Sequence, residues 1–220
     1  MSQPGDAAST TAPPAMNSPG ATAAEKSSLR SQFRRLRLVA LAEAEARILA
    51  LAHREIPALL PAGLRLGIYW PLVGEADLRP LAALGLPLAL PAVGGEAPQA
   101  ARLLYRPWCP GDPLAADACA IPAPLAPELR PEAVGLLLVP ALAIDRQGIR
   151  LGYGGGWYDR LRADPAWRAV PALAVLPAAC VVEALPRDPW DVPLVGWLDE
   201  SGLHRIRDND PSKGGNVEAL

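Results

Sequence analysis

The chain has 220 residues, of which 50% are hydrophobic and 20% charged, so it can bury the core of one domain or of a tight pair. Its formal net charge of −2 argues against a protein that holds nucleic acid through its phosphates. Between Ser31 and Ser201 there is no Ser, Thr, Asn or Lys, and the three cysteines are widely separated and lack nearby histidines, which excludes a Ser-His-Asp hydrolase, a P-loop and a zinc site.

Both ends of the chain are polar. Residues 1–21 are rich in Pro, Ala, Ser, Thr and Gly, with almost no large apolar side chain to offset the entropy of ordering. We therefore expect a disordered tail at 1–21, a second at 207–220, and a single domain at 22–206. The first tail has no targeting pattern, and no apolar run approaches the roughly 20 residues of a membrane span. We expect a soluble, cytoplasmic protein.

A long helix is predicted at the start of the domain. Thr22 and Glu25 match a capping box, in which two side chains satisfy the first free N–H groups of a helix. Apolar residues then recur at the three- and four-residue steps of one helix face; they are Leu29, Phe33, Leu36 and Ala40. We expect the helix to end near Pro57, because proline lacks the N–H group that a helix needs.

Short apolar segments bounded by Pro and Gly follow, and their composition predicts buried strands of a largely parallel sheet. They are residues 64–70, 86–90, 103–105, 136–139, 172–176 and 194–198. Helices are predicted near residues 75–84, 156–163 and 178–184. This alternation of strands and helices indicates an α/β layered domain.

Lys26 and Arg30, on the opening helix, are the first candidate functional residues. Residues four apart lie on the same helix face, so both side chains can contact one polyanion such as a phosphate chain. The alternative is a solvated basic face, because Arg34, Arg35 and Arg37 follow at once. The residues alone favour this alternative.

Trp70 and Glu75 belong to a turn after the first predicted strand. Open α/β sheets bind ligands beyond the carboxyl ends of their strands. Trp70 offers a flat surface to a heteroaromatic ring, and Glu75 can accept hydrogen bonds from N–H groups on that ring. A buried Trp and an acidic residue in the first turn of a helix explain the pair equally well.

Residues 140–159 form the most specific segment. Four glycines in five positions leave backbone N–H groups open to a ligand; they are Gly152, Gly154, Gly155 and Gly156. A helix beginning near Gly156 would suit a bound phosphate. Arg150 can neutralise phosphate charge, and Asp159 can coordinate Mg²⁺, which prefers oxygen ligands. A merely flexible turn is the weaker alternative, because linkers rarely carry so many aromatic and charged residues.

These residues resemble the 5-formyltetrahydrofolate cyclo-ligase family, also called 5,10-methenyltetrahydrofolate synthetases. The segment from Asp145 through Gly148 and Arg150 to Asp159 is similar to the family signature almost position for position. The resemblance covers about residues 26–197, and its weaker parts follow in the expected order; they are Lys26 with Arg30, residues 70–75, residues 121–124 and Asp191.

The resemblance implies a three-layer α/β/α domain that closes a ring at the expense of ATP. The formyl oxygen of 5-formyltetrahydrofolate takes the γ-phosphoryl group, N10 attacks the activated carbon, and phosphate leaves, giving 5,10-methenyltetrahydrofolate and ADP. The implied partners are these small molecules with Mg²⁺, and neither nucleic acid nor a membrane. We expect a monomer.

Carried over by position, the resemblance also implies three groups of site residues. The ATP-binding group is Lys26, Arg30, Arg150, Leu151, Gly152, Tyr153, Gly154, Gly155, Gly156, Trp157 and Tyr158. The folate-binding group is Trp70, Glu75, Tyr153, Gly155 and Trp157. The metal ligands are Asp159 and Asp191. These residue types suit phosphoryl transfer, which needs mainly positioning and charge neutralisation.

The sequence departs from the family pattern at three positions. Trp190 stands where a His often precedes the second acidic residue. Ala92 stands where an Arg commonly follows a strand-ending proline, and Arg102 or Arg106 are candidates to supply its contact. Trp157 stands where Tyr is usual. None of these changes removes a group that the reaction requires.

Two other functions stay open from the sequence. One is a different ATP-using transferase or kinase, which would need another acceptor pocket. The other is a catalytically silent folate- or nucleotide-binding protein. Asp159 favours an enzyme over a silent binder, because a binder has no need for a metal ligand beside the phosphates.

Overall fold

The structure, a computed structural model, describes residues 19–95 and 101–206. The predicted tails lie outside the described residues at 1–18 and 207–220, whereas residues 19–21, predicted as tail, belong to a helix. None of the helices in the described ranges combines the length and the apolar character of a membrane span. The domain boundaries at residues 22 and 206 stay a prediction.

The first helix, α1 (Pro19–Leu59), is 41 residues long and extends beyond both predicted ends. Thr22 therefore lies inside the helix, and the predicted capping box is wrong. Pro57 also lies inside, in the last turn. A proline there disturbs only the end of the hydrogen-bond ladder, so the helix continues to Leu59 instead of stopping.

The buried face of α1 differs from the face predicted by its apolar residues. Its buried side chains recur at steps of three, four or seven residues; they are Lys26, Phe33, Arg37, Leu41, Ala44, Ile48, Ala52 and Ile56. Phe33 belongs to both faces, whereas Leu36 is 38% exposed. The apolar pattern missed this stripe because its first half includes cations, which are buried against polar groups of the site.

Seven strands form the central sheet. They are β1 (Arg65–Gly67), β2 (Leu88–Gly94), β3 (Arg102–Trp108), β6 (Val134–Pro140), β9 (Ala172–Val175), β11 (Gly196–Asp199) and β12 (Gly202–Arg205). Their order is β12-β11-β9-β6-β1-β2-β3. The inner strands are parallel to one another, and β3 and β12 are antiparallel at the two edges. Each predicted strand is part of this sheet, so the largely parallel sheet is confirmed.

Helices cover both faces of the sheet. Along β6, Leu136 and Leu138 pack in the core beneath α1. Leu137 and Val139 pack in the opposite core, which includes residues of α2 (Trp157–Ala163) and α3 (Pro165–Ala169). Successive residues of a strand point to opposite faces, so every residue of β6 is buried. The three-layer α/β/α architecture is confirmed.

Two predicted helices differ in the structure. Residues 75–84 contain only a 3₁₀ helix, Arg79–Leu84. Residues 178–184 contain a 3₁₀ turn, Ala178–Cys180, and then strand β10 (Val181–Val182), because two β-branched residues fit a strand better than a helix. Strand β10 pairs with β7 (Ala143–Asp145), which also pairs with β8 (Arg150–Leu151).

Candidate active site

A cavity of about 530 Å³ opens beyond the carboxyl ends of β1 and β6, where open α/β sheets bind their ligands. It is lined by the start of α1, the segment after β1, the loop between β8 and α2, and the segment before β11. Every site residue predicted from the sequence lines it; they are Lys26, Arg30, Trp70, Glu75, residues 150–159 and Asp191. The fold thus brings four distant segments together.

The glycine-rich loop, residues 152–156, passes close to the side chain of Arg150. The Arg150 guanidinium donates a hydrogen bond to the Pro140 carbonyl at 3.1 Å, and its other nitrogen lies 3.4 Å from Asp159 Oδ1. A Cβ at Gly152 would lie 2.8 Å from this guanidinium. Gly154 has a φ of +101°, which L side chains rarely adopt. Glycine at 152 therefore leaves room for the guanidinium, and the positive φ at 154 favours glycine for the turn.

Lys26 and Arg30 extend from α1 into the cavity. Lys26 Nζ donates to the carboxylates of Asp188 at 2.7 Å and Asp191 at 2.6 Å. Arg30 Nε donates to the carbonyl of Gly152 at 3.0 Å, which ties the glycine-rich loop to α1. Burial alone would lower the pKa of Lys26, but the hydrogen bonds to Asp188 and Asp191 outweigh it and raise the pKa. Lys26 is therefore a charged group at the cavity surface.

The interpretation of the α1 cations as one solvated face is wrong for part of the helix. Lys26 is 8% exposed and Arg37 is 3% exposed. Arg30 is half-buried, whereas Arg34 and Arg35 are exposed. The buried and half-buried cations, Lys26, Arg30 and Arg37, are four and seven residues apart and so share one helix face. This spacing could have been recognised in the sequence, but the neighbouring Arg34 and Arg35 obscured it.

Glu75 lines the same cavity from the segment after β1. Its Oε2 accepts a hydrogen bond from the Leu72 amide at 2.8 Å, and its Oε1 accepts one from the Tyr153 hydroxyl. Arg37 Nη1 lies 3.7 Å from Oε1. Burial raises the pKa of Glu75, although the bonds from Tyr153 and Leu72 oppose the rise. The nearest helix begins only at Arg79, so Glu75 is not a first-turn residue and the helix-dipole explanation is wrong.

Aromatic rings give the cavity flat surfaces. The half-buried ring of Trp70 lies 4.4 Å from the Arg79 guanidinium, and that of Trp157 lies 4.4 Å from the Arg160 guanidinium. Burial raises the pKa of Tyr158 to about 12, so its hydroxyl stays protonated at neutral pH. Such rings, backed by cations, suit a planar heterocyclic ligand.

The two predicted metal ligands have different surroundings. The Asp159 side chain is 38% exposed and contacts Arg150 at 3.4 Å, while Asp191 Oδ2 accepts from both Lys26 Nζ and the Asp188 amide. Within residues 19–95 and 101–206, no three His, Cys, Asp or Glu side chains gather as a metal cluster. Mg²⁺ in nucleotide sites is usually held by one or two carboxylates with phosphate oxygens and water. Asp159 fits such a role better than Asp191.

The structure adds cavity residues that sequence reasoning missed. They are Tyr69, Pro91, Val93, Leu103, Asp117, Cys119 and Asp188. Most come from β2, β3 and the loop between β4 (Leu114–Ala116) and β5 (Pro122–Pro124), and no local pattern marks them. Asp188 is different, because an acidic residue three positions before Asp191 was a readable signal.

Comparison with known proteins supplies the family. The model of the 5-formyltetrahydrofolate cyclo-ligase family matches residues 22–196. The chain belongs to this family. A relative from Mycolicibacterium smegmatis named 5-formyltetrahydrofolate cyclo-ligase is 33% identical over 148 residues, which are 66% of this chain and 72% of the relative. The family resemblance inferred from the glycine-rich segment is therefore confirmed.

Solved structures agree with this assignment. The 5,10-methenyltetrahydrofolate synthetase of Aquifex aeolicus is 28% identical, with a TM-score of 0.67 over 88% of this chain and 96% of its own. The synthetase from Mycoplasma pneumoniae has a TM-score of 0.59 over 80% of this chain and 99% of its own, at 18% identity. The second likeness concerns the fold alone.

Two departures from the family pattern can be placed in the cyclo-ligase fold. Trp190 lines the cavity and is 62% exposed. Neither candidate for the missing Arg lines it, because Arg102 pairs with Glu128 at the surface and Arg106 donates to the carbonyl of Pro124. Both candidates for the missing contact, Arg102 and Arg106, thus lie outside the cavity lining in this structure.

Proposed function

We propose that the protein is an ATP-dependent 5-formyltetrahydrofolate cyclo-ligase that forms 5,10-methenyltetrahydrofolate, ADP and phosphate. The observation that carries the proposal is the convergence of all the predicted site residues on one cavity of about 530 Å³. This volume is in the range of small-molecule sites. Its cationic and aromatic sides match the two chemically different substrates, and the names of the relatives agree with the reaction.

The reaction transfers a phosphoryl group and then closes a ring. The formyl oxygen attacks the γ-phosphorus of ATP and ADP leaves; N10 then attacks the formyl carbon, the C–O bond breaks, and the N10 proton leaves with the phosphate. The enzyme contributes mainly position and charge. Lys26, Arg30 and Arg150 are the cations at the cavity, and we assign them to the ATP phosphates with the glycine-rich loop.

The folate would occupy the side formed by Trp70, Glu75, Tyr153, Gly155 and Trp157. A charged Glu75 accepts hydrogen bonds from the N–H groups of the pterin ring, and the indole rings offer it flat contacts. The Glu75 oxygens are already held by the Leu72 amide and the Tyr153 hydroxyl. The acceptor is therefore oriented before the substrate arrives, which lowers the entropic cost of binding.

Magnesium is part of the proposal. Asp159 would hold the ion together with phosphate oxygens and water. Asp191 could bind the ion only if its carboxylate gave up the contact with Lys26. When bound, Mg²⁺ neutralises phosphate charge. A monomeric, cytoplasmic enzyme with only small-molecule partners stays our expectation.

The test is direct. The purified protein is mixed with 5-formyltetrahydrofolate and Mg-ATP, and the near-ultraviolet absorbance of the methenyl product is followed. Tight folate binding without product would overturn the proposal in favour of a silent binding protein. Phosphorylation of another acceptor, with no methenyl product, would instead indicate a different ATP-using transferase.

Asp159→Ala tests the metal assignment. We expect turnover to fall by two orders of magnitude or more, on the order of the loss seen when a charge-stabilising group is removed, while the thermal midpoint stays unchanged. Glu43→Ala is the matched control, because Glu43 is exposed on α1. Turnover of Asp159→Ala close to that of Glu43→Ala would show that Asp159 does not hold the metal.

A further inference from the structure

Arg37 is a buried cation that does not line the cavity but contacts several segments that form it. The side chain is 3% exposed. Its Nη1 donates to the carbonyl of Ala141 at 3.1 Å, and its Nη2 donates to the carbonyl of Val73 at 3.3 Å. These contacts link α1 to the turn before Glu75 and to the segment after β6. A solvated basic helix residue would make none of them.

The guanidinium also contacts the two polar side chains of the folate-binding side. Its Nη1 lies 3.7 Å from Glu75 Oε1, and the Glu75 side chain is 2% exposed. The centre of the guanidinium lies 5.1 Å from the ring centroid of Tyr153, the residue whose hydroxyl donates to Glu75. Arg37 is therefore directly behind both side chains.

Burying this arginine is costly, so it needs a reason. Removing an ion from water costs several kcal/mol unless an opposite charge and hydrogen bonds compensate. Arg37 Nε has no hydrogen-bond partner among the described residues, so the packing is not optimal for Arg37 itself. A leucine at this step of the buried stripe would satisfy the core. A leucine could supply neither the hydrogen bonds to the carbonyls of Ala141 and Val73 nor the contact with the Glu75 carboxylate, and only the last of these places a charge against a side chain of the site.

We propose that Arg37 is a positioning residue for the folate site, holding Glu75 and Tyr153 in place from behind the cavity surface. The inference rests on the proposed function, because it concerns the same site. Arg37 does not line the cavity, so it acts on the site through the groups that it contacts, chiefly the side chains of Glu75 and Tyr153. Its charge opposes the burial of Glu75 and keeps that carboxylate available as an acceptor.

The proposal has a pH signature. The groups facing Glu75 are Arg37 from α1, Tyr153 from the glycine-rich loop, the more distant Arg150 from β8, and the hydroxyls of Tyr69 and Tyr158. Burial raises the pKa of Glu75 and Arg37 opposes that rise, so replacing Arg37 by a neutral side chain raises the pKa further. In such a variant Glu75 stays protonated to a higher pH than in wild type and regains its charge as pH increases.

The experiment compares Arg37→Gln and Arg37→Lys with Arg35→Gln, a control at an exposed position of the same helix. For Arg37→Gln we expect KM for 5-formyltetrahydrofolate to rise about tenfold or more, the effect of losing one charged hydrogen bond. KM for ATP should change less than about twofold. Arg37→Lys, which keeps the charge, should recover part of the loss.

The pH dependence separates positioning from a structural role. The folate KM of Arg37→Gln should fall as pH rises, relative to wild type, because Glu75 ionises at a higher pH in the variant. A purely structural role would lower the thermal midpoint and raise both KM values without this slope. Equal rises in both KM values, or an unchanged folate KM, would overturn the proposal.

Two further measurements keep the result decisive. If Arg37→Gln does not fold, Arg37→Lys decides, and an unchanged folate KM in that variant counts against positioning. In a Glu75→Gln background, Arg37→Gln should raise the folate KM much less than in wild type, since its main target is gone. Calorimetric titration of 5-formyltetrahydrofolate without ATP gives the same comparison as binding constants. It tests Arg37 even if wild type shows no turnover, which would refute only the proposed reaction.

Discussion

Lys26→Met tests how much the fold depends on the only lysine in its described part. The Nζ lies 2.7 Å from Asp188 and 2.6 Å from Asp191, and the three side chains are 10%, 15% and 11% exposed. Methionine fills a similar volume but leaves two carboxylates without their cation. Because both contact the same nitrogen, removing it also leaves two like charges close together.

The expected loss follows from this partial burial. Exposed ion pairs contribute about 0–1 kcal/mol, and breaking a fully buried pair costs about 3–5 kcal/mol. The Lys26 site lies between these limits, so we expect the free energy of unfolding to fall by about 2 kcal/mol. For a domain of this size that corresponds to a thermal midpoint about 4–8 °C lower.

The sign of the pH dependence is fixed by the raised pKa of Lys26. A lysine whose pKa is higher in the folded state stabilises fully below its unfolded pKa, and this stabilisation is lost as pH rises through the folded value. The difference between wild type and Lys26→Met should therefore be constant near neutral pH. It should shrink only above about pH 10.4, the ordinary lysine value.

The measurement is thermal and urea unfolding followed by circular dichroism. Arg35→Met is the matched control, because it removes a cation from an exposed position of the same helix. The double variant Lys26→Met with Asp188→Asn should regain part of the loss, since one of the two unpaired charges is gone. A midpoint for Lys26→Met equal to that of Arg35→Met would refute the reasoning.

Two further predictions concern backbone strain and acid stability. Gly154→Ala should lower the free energy of unfolding by about 1–2 kcal/mol, because φ is +101° at this residue. It should also raise KM for ATP. A thermal midpoint and a KM equal to those of wild type would contradict this prediction. Burial alone would raise the pKa of Asp199, but hydrogen bonds from Ser201 and Trp197 outweigh it and lower the pKa. Asp199→Asn should therefore cost about 2 kcal/mol at pH 7. That difference should disappear in urea titrations as pH falls below about 3.9, and one that persists in acid would exclude the carboxylate as its cause.

The strands could be predicted from the sequence because the residues within each strand are enough to indicate it. A short apolar segment between Pro and Gly has few alternatives to a buried strand, and β6 is buried at every residue. The glycine-rich segment was equally readable, since its backbone must approach Arg150 closely and turn with positive φ at Gly154. Local chemistry alone specifies such features.

The ends of α1 and the helix predicted at residues 178–184 were wrong for a different reason. Capping and proline rules describe local preferences, and the helix continues through both Thr22 and Pro57. At residues 178–184, pairing of Val181 and Val182 with β7 decided for a strand. A partner strand almost 40 residues away is not visible in the local pattern.

The sequence by itself determined the sheet, the layered architecture, the glycine-rich loop and the family. Only the tertiary structure decided which cations are buried and what they hold. Lys26 meets Asp188 across 162 residues, and Arg37 meets Ala141 across 104. A cation on a helix is solvated or buried according to partners that the folded chain brings to it. The buried stripe of α1 can include these cations because distant segments of the chain supply the oxygen atoms that the cations contact.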